Sequence, residues 1–456
     1  KVDIYDPIII KDSTTRKFRP TLYDFLAHRA VDFFMNTELD IITHTYKFEL
    51  DNQEYFSAPN IFTNIFIQNA DSFSLKFYAL SLLQNLEKFH LNDTNPDALI
   101  DVCLKRLNFV HKNSINDDKD SLYINTLYYL EKKYTSHPYS TMISYQLAFE
   151  YYKLGQNYHH ITSPEYKNYI TKAYQICKKA IEKFPKTDGA NNCNALIENI
   201  EKKILLFTNE TAEPANKPFR VLISYKNVNN IFLRIIKISP EENLKLTNKY
   251  SSNELISKYL QITPLKQWEI QMPKDEDFQQ HSVEIAMPAL PLGFYILLIS
   301  TDANFSTQNS NIVAYNNIWI SNLNYIFRKK QDNSYDIYVF DRTSGEPLKN
   351  ILMEVYYKYY NHTKKNYETE CKTFKSNNNG YIEIPPPLKR DFIYDENFYA
   401  ILKKGNDQYY IENNFYQYNY QQKTEKYITT FFFTDRAIYR PGQTIYFKGI
   451  LLENDG

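Results

Sequence analysis

Phe433-Thr434-Asp435-Arg436-Ala437-Ile438-Tyr439-Arg440-Pro441-Gly442-Gln443-Thr444-Ile445-Tyr446-Phe447-Lys448-Gly449 is the stretch that decides how this chain is read. It joins an aromatic, β-branched run at 428–433 to an alternating run at 445–452. Between them Pro441 presets one φ and Gly442 is free to take a positive one, which is the chemistry of a chain reversal. The local reading is a strand, a Pro-Gly turn and an amphipathic return strand. Working back, the same period of two recurs from Pro218 onward. Residues 219–224 and 231–238 flank a Lys-Asn-Val-Asn-Asn turn and read as a hairpin. Further strands are expected at 267–272, 282–287, 294–300, 312–321, 335–340, 351–359, 381–384, 398–403 and 408–411. Short strands at roughly ten-residue spacing, separated by turn residues, predict stacked β-sandwiches. Seven of the nine glycines lie beyond Gly189, several at turns such as Ser344-Gly345 and Asn379-Gly380, which agrees with that division.

Residues 1–208 carry a helical period instead. Pro20-Thr21 opens a helix over 22–34, with Leu22, Phe25, Leu26, Arg29 and Phe33 on one face. Further helices are expected at 73–91, 97–112, 119–134, 139–154, 164–184 and 189–207, with Asn95-Pro96 and Ser163-Pro164-Glu165 as start signals. Leu154-Gly155-x-x-Tyr158, Ala173, Ala180 and Pro185 follow the order of a tetratricopeptide repeat, with about six extra residues around 159–164. A generic helical hairpin accounts for the same residues, because only one unit is visible and an array needs about three. The polar segment 209–218, with two prolines, reads as the linker between the halves.

Composition narrows the function. The chain has 456 residues, enough for about three domains. Lysine plus arginine and aspartate plus glutamate each number 53, so the net charge is zero and neither nucleic acid nor an anionic membrane is the expected partner. With so few glycines there is no G-x-G-x-x-G, G-x-x-x-x-G-K or G-x-S-x-G, hence no standard phosphate cradle or nucleophile elbow. The 41 Tyr, 30 Phe and 2 Trp have three readings: codon bias of an AT-rich genome, demand for strand formers, or a surface for sugars or bases. The longest near-continuous apolar stretch, 290–299, is about half the ~20 residues of a membrane-spanning helix. The chain starts at Lys1 without a signal-peptide pattern and stops at Asp455-Gly456, a hairpin signal without its return strand. A fragment of a larger protein is therefore expected.

Three segments together carry a family resemblance. Asp341-Arg-Thr-Ser-Gly345-Glu-Pro347 makes a tight turn before one strand, and Asn378-Asn379-Gly380 a hairpin turn before another. Together they look like a prealbumin-like sandwich unit. The third is more specific. Thr434-Asp435-Arg436-x-x-Tyr439-x-Pro441-Gly442-Gln443 resembles the signature that opens a macroglobulin domain in the alpha-2-macroglobulin family. The form Tyr439-Arg440-Pro441-Gly442-Gln443, followed by Phe447-Lys448-Gly449, is similar to bacterial members, and the segment around Pro20–Arg29 resembles the Bacteroidetes branch.

The resemblance implies an all-α, partly tetratricopeptide-like region at 1–208, a macroglobulin-like β-sandwich at 218–325 and a prealbumin-like sandwich at 326–415. A further macroglobulin domain would begin at 425–456. It implies a scaffold of a protease-trapping inhibitor in the bacterial envelope, either periplasmic or at the outer-membrane surface, with a lipid anchor on a preceding segment as one mode of attachment. Proteases would be engaged by downstream parts, and other envelope proteins by the helical region. The family's thioester motif, Cys-x-Glu-Gln, fits none of Cys103, Cys177, Cys193 and Cys371. The residues call for no enzyme, cofactor or metal. An envelope adhesin, with helices docking a partner on a sandwich stalk, is the alternative of a different class.

Smaller constellations have plain readings. Cys177 and Cys193 stand eight residues on either side of Pro185, level on a helical hairpin, so a disulfide and two buried free thiols both fit. Cys103 and Cys371 read as isolated buried residues. His159-His160 lacks a third ligand at metal spacing and reads as a solvated loop. His28 reads as a hydrogen-bonded packing residue, and Asp435-Arg436 as an ion pair fixing a strand end. Asp117, Asp118 and Asp120 suit a solvated helix start or, less readily, a calcium loop, and Tyr394-Asp-Glu-Asn397 reads as a loop.

Overall fold

Thr21 opens the first long helix through a capping box: its hydroxyl accepts from Asp24 N at 3.3 Å and Asp24 Oδ2 accepts from Thr21 N at 2.8 Å. The computed structural model describes residues 15–36, 47–69, 71, 73–308, 310–330, 334–361, 364–385, 394–416, 427–434 and 444–454. Among these, helices come first: α1 Thr15–Phe18, α2 Leu22–Phe34, α3 Pro59–Phe62, α4 Leu75–His90, α5 Asp97–Asn113, α6 Lys119–Lys133, α7 Ser140–Gly155, α8 Tyr169–Lys183 and α9 Asp188–Glu201. Leucines on one stripe of each helix close the core: Leu83 and Leu86 of α4, Leu107 of α5, Leu127 and Leu130 of α6 and Leu147 of α7 are all buried together. Each contributes about 1.5–3 kcal/mol relative to exposure.

A second cluster joins α7, α8 and α9 through Ala148, Ala173, Cys177, Ala180, Cys193 and Ile197. Small residues set its spacing. A Cβ on Gly155 would lie 2.6 Å from Ile170 Cγ1, and one on Gly189 would lie 2.4 Å from Thr141 C, Thr141 Oγ1 and Met142 N. Two helix boundaries differ from expectation. Ser163-Pro164 begins only a 3-10 turn at Pro164–Tyr166, and α8 itself starts at Tyr169. The last helix stops at Glu201, and Ile204–Thr208 continues as strand β1.

The second half is built of sheets. The strands are β2 Ala212–Glu213, β3 Phe219–Lys226, β4 Asn230–Lys237, β5 Lys266–Gln271, β6 His281–Met287, β7 Gly293–Ser300, β8 Val313–Ile320, β9 Leu323–Lys329 and β10 Tyr335–Asp341. They continue with β11 Leu352–Asn361, β12 Asn366–Lys375, β13 Tyr381–Ile384, β14 Tyr394–Lys404, β15 Asp407–Tyr416, β16 Tyr427–Thr434 and β17 Phe447–Asn454. The sheet orders are β1-β3-β6, β2-β8-β7-β4-β5, β13-β10-β9, β12-β11-β14-β15 and β16-β17. Inward residues of β10, β11, β13, β14 and β15, including Ile337, Met353, Ile384, Ala400 and Ile411, share one core. That is the alternation a sandwich needs.

Several local expectations are corrected. Residues 219–224 and 231–238 are strands but not a hairpin: β3 pairs in one sheet and β4 in another. Both strands bury alternate apolar residues (Val221, Ile223; Ile231, Leu233, Ile235), and short turns join strands of facing sheets as readily as neighbours in one sheet. Asn379-Gly380 likewise leads from β12 to β13, which lie in different sheets. Gly380, at φ +71°, allows its carbonyl to accept from Val339 N at 2.8 Å. The linker segment carries β2, parallel to β8 with Ala212 opposite Trp319. Tyr394–Asn397 is strand rather than loop, because β14 pairs with β11 and β15. Cys371 is exposed, not buried, on the open face of the edge strand β12. Between β4 and β5 lie two helices, α10 Pro240–Lys249 and α11 Ser252–Leu260. Their caps are plain in sequence: Ser239 before Pro240, and Ser251 boxed with Glu254.

The chain divides into two compact units. The first comprises Lys1–Ile204, Tyr225–Asn229 and Pro273–His281, and the second the remainder. No helix among the described residues is long and apolar enough to cross a membrane.

Candidate functional site

The signature residues Asp435, Arg436, Tyr439, Pro441, Gly442 and Gln443 lie outside the described residues, and with them the expected Asp435-Arg436 ion pair. The strands they connect do pair: β16 and β17 are antiparallel, with Thr434 opposite Phe447 and Tyr427 opposite Asn454.

Cys177 and Cys193 come together. Both are fully buried free thiols in the α7–α9 cluster. A hydrogen bond with Cys193, together with burial, pushes the Cys177 thiol well up. Cys103 is also buried, and burial first, then the Glu87 charge, pushes its thiol up to about 12. Its neighbour is a buried ion pair that the sequence did not announce. Arg106 Nε donates to Glu87 Oε1 at 2.6 Å, both side chains being fully buried. The same guanidinium donates to the carbonyls of Tyr55 and Ser57 and lies 4.1 Å from the centre of the Phe62 ring.

His28 is buried, and desolvation, then the charges of Arg19 and Lys105, lower its pKa to about 3, so the ring is neutral. Its Nδ1 lies 3.4 Å from Lys105 Nζ. That is a packing role. His90, which sequence reasoning missed, is placed between two carboxylates, 2.7 Å from both Asp24 Oδ1 and Asp93 Oδ2. Burial opposes the imidazolium, but these bonds hold its pKa above the ordinary value. His159 and His160 stack in an exposed turn, where His159 Nδ1 accepts from the N–H groups of Ile161 and Thr162.

Asp117 and Asp118 are exposed, while Asp120 turns to His111, with 2.6 Å between Oδ1 and Nε2. Glu150 Oε1 is 3.9 Å from the same nitrogen, which makes a His-Asp-Glu group of metal-ligating type. Lys153 already meets the Glu150 charge at 2.6 Å.

A cleft of about 420 Å³ lies in the first unit. It is lined by the C-terminal end of α7, the start of α8, the end of α9, Lys226 and the segment 278–280. Each piece is pinned. Asn227, at φ +56°, donates from Nδ2 to the carbonyls of Ile200 at 2.8 Å and Lys202 at 3.2 Å, capping α9. Tyr225 donates its hydroxyl to Asp275 at 2.8 Å. Gln279 is buried and donates from Nε2 to Gly155 O at 3.1 Å and Lys167 O at 3.3 Å. Phe278 sits at φ +56°, a conformation that costs a non-glycine residue about 1–2 kcal/mol, and packs on Tyr174 with the ring centroids 4.8 Å apart and the planes tilted by 31°. Asn199 donates to the Tyr152 hydroxyl at 2.9 Å.

Lys226 is 8% exposed and has no hydrogen-bond or ion-pair partner among the described residues, and desolvation lowers its pKa. Chemically, the cleft offers a buried cation, an exposed second one at Lys202, aromatic walls and no acid. Sequence reasoning missed it, since Lys226 ends an ordinary alternating strand.

No family model matches the chain, and no curated protein matches it. Among solved structures it is similar to native alpha-2-macroglobulin from Escherichia coli spanning domains MG0-NIE-MG1. The identity is 12% with a TM-score of 0.30, over 45% of this chain and 63% of that one. It is also similar to Escherichia coli alpha-2-macroglobulin activated by porcine elastase, at 11% identity and TM-score 0.19, over 51% of this chain and 23% of that one. A Salmonella alpha-2-macroglobulin mutant gives 12% identity and TM-score 0.19, over 55% and 18%. The chain thus spans less than two thirds of each of these proteins.

Proposed function

We propose that this chain is a scaffold portion of a bacterial alpha-2-macroglobulin-like, protease-trapping inhibitor of the cell envelope, and that it performs no catalysis itself. The observation that carries the reading is the Thr434–Gln443 signature, which in sequence lies between two strands that pair antiparallel. A helical region followed by sandwiches suits a protein that shifts rigid bodies when a distant bait segment is cut. In this reading the β half is a structural frame, proteases are engaged by parts beyond this chain, and the helical unit, partly tetratricopeptide-like around α7 and α8, faces other envelope proteins.

The test is to incubate the full-length protein containing this chain with a broad-specificity protease. The expected result is a retained complex in which the protease still cleaves small peptides but no longer cleaves protein substrates. A protease that elutes free and attacks protein substrates at its normal rate counts against the trap.

A further inference from the structure

The cleft of the first unit presents an arrangement that packing alone does not explain. A lysine is normally buried only with a partner, because an ammonium taken out of water without one is strongly disfavoured. Lys226 is more than nine-tenths buried, lines the cleft, and has neither carboxylate nor carbonyl bound to it among the described residues. Its neighbours in sequence are held on both sides, by the Tyr225–Asp275 and Asn227–α9 hydrogen bonds, so the backbone keeps the stem in place. Phe278, which also lines the cleft, is held in the left-handed region and packs against Tyr174, with the next residue tied to α7 and the turn before α8. Strain at one lining residue and an unpaired cation at another, over a cavity within the ~300–1,000 Å³ range of ligand sites, are marks of a binding site.

We propose that this cleft binds an organic carboxylate, with the carboxylate on Lys226 and its apolar body against Tyr152, Tyr158 and Phe278. The charge argument selects the class. No Asp or Glu lines the cleft, so nothing internal competes for the ammonium. Lys202 is exposed and solvated, leaving one buried positive charge to be matched by one negative charge. A carboxylate supplies that and accepts the charge-assisted hydrogen bonds of the ammonium. Gln156, an exposed residue that also lines the cleft, would donate to a second oxygen or to a neighbouring carbonyl. The carboxylate could be carried by a small organic acid or by the C-terminus of a polypeptide. The inference stands apart from the trap reading, because it depends only on the first unit.

The experiment is calorimetric titration of the whole chain with N-acetyl-phenylalanine, its primary amide, a tetrapeptide ending in phenylalanine as free acid, and inorganic phosphate. The expected result is that at least one free acid binds at least tenfold more tightly than the amide. Lys226→Met should abolish that difference, whereas Lys202→Met should change it less than threefold. Preference for the small acid identifies a small-molecule site, and preference for the tetrapeptide a chain-terminus site. Either outcome supports the proposal. Equal binding of acid and amide, unchanged binding by Lys226→Met, or binding of phosphate alone overturns it. If Lys226→Met fails to fold, the unsubstituted protein with ¹³C-dimethylated lysines gives the answer. The Lys226 methyl resonance must shift on adding the acid and stay still on adding the amide, and an unmoved resonance refutes the assignment.

Discussion

Replacing Gly189 by alanine puts two physical effects in opposition, and the structure decides the sign. Gly189 lies in the first turn of α9, where alanine would by propensity alone stabilise the helix by up to about 1 kcal/mol. The added Cβ, however, would stand 2.4 Å from two backbone atoms of α7 and from Thr141 Oγ1, where ordinary contacts lie at 3.4–4 Å. About 1 Å of separation must therefore open between backbones, and neither side can rotate away. Overpacking of that kind costs about 1–3 kcal/mol. The shift also stretches the 2.8 Å hydrogen bond between the Thr141 and Thr187 hydroxyls, worth about 1 kcal/mol. The balance is a loss of about 1–3 kcal/mol, or roughly 5- to 150-fold in the local opening equilibrium. Hydrogen exchange with mass readout over peptides from α7 to α9 measures this directly, and Asn194→Ala, exposed on the same helix, is the control. The control should be neutral or slightly protective, while Gly189→Ala should accelerate exchange in all three helices. If both substitutions protect alike, the close approach of α9 to α7 is wrong.

Two further outcomes follow from the buried charges. Arg106→Leu should destabilise the first unit by about 3–5 kcal/mol, because it strands the Glu87 carboxylate and the Tyr55 and Ser57 carbonyls. The double variant Glu87→Leu/Arg106→Leu should lose less than the sum of the singles in urea unfolding, and strict additivity would refute the coupling. Stability should also peak near the ordinary histidine pKa of about 6.5. His90, whose folded pKa is raised, contributes stability that is complete below that value and is lost as pH rises through its folded pKa. His28, lowered to about 3, stays neutral when the unfolded chain takes a proton, so stability falls by about 1.4 kcal/mol per pH unit from ~6.5 downward. His28→Phe should flatten the acid limb and His90→Gln the alkaline one; unchanged urea midpoints across pH in either variant would contradict the assignment.

How far the sequence could be read depended on the range of the interactions involved. Helices α4, α5, α6 and α7 were legible because apolar residues at helical spacing decide each of them locally, whereas in α2 the spacing found the helix but not its face: Leu26 and Phe33 are exposed, and Asp24, Ala27, His28 and Val31 are buried. Most strands were legible through alternation. Partner choice was not, since Val221 and Ile231 alternate alike although β3 and β4 enter different sheets. The caps at Ser239 and Ser251 were visible signals for α10 and α11 that a period-two reading passed over. Nothing local marks the cleft: its residues run from Tyr152 to Gln280, and Lys226 becomes unusual only when folding buries most of its side chain along the cleft. The Glu87–Arg106 pair is the same case, two ordinary helical charges 19 residues apart that the packing of α4 on α5 turns inward.

The helical unit is not contiguous in the chain, and this matters for its birth on the ribosome. It contains Tyr225–Asn229 and Pro273–His281, so 77 residues separate Ile204 from the last residue the unit needs. At about 5–20 residues per second, that is an interval of roughly 4–15 s. During it α9 has emerged, but the Ile200 and Lys202 carbonyls lack the Asn227 carboxamide, and Gly155 O lacks Gln279. The nascent helices must wait half-closed, with the aromatic walls of the cleft uncovered, until strands belonging to the other unit have been made. A chaperone that shields aromatic surface would find its longest opportunity in that window.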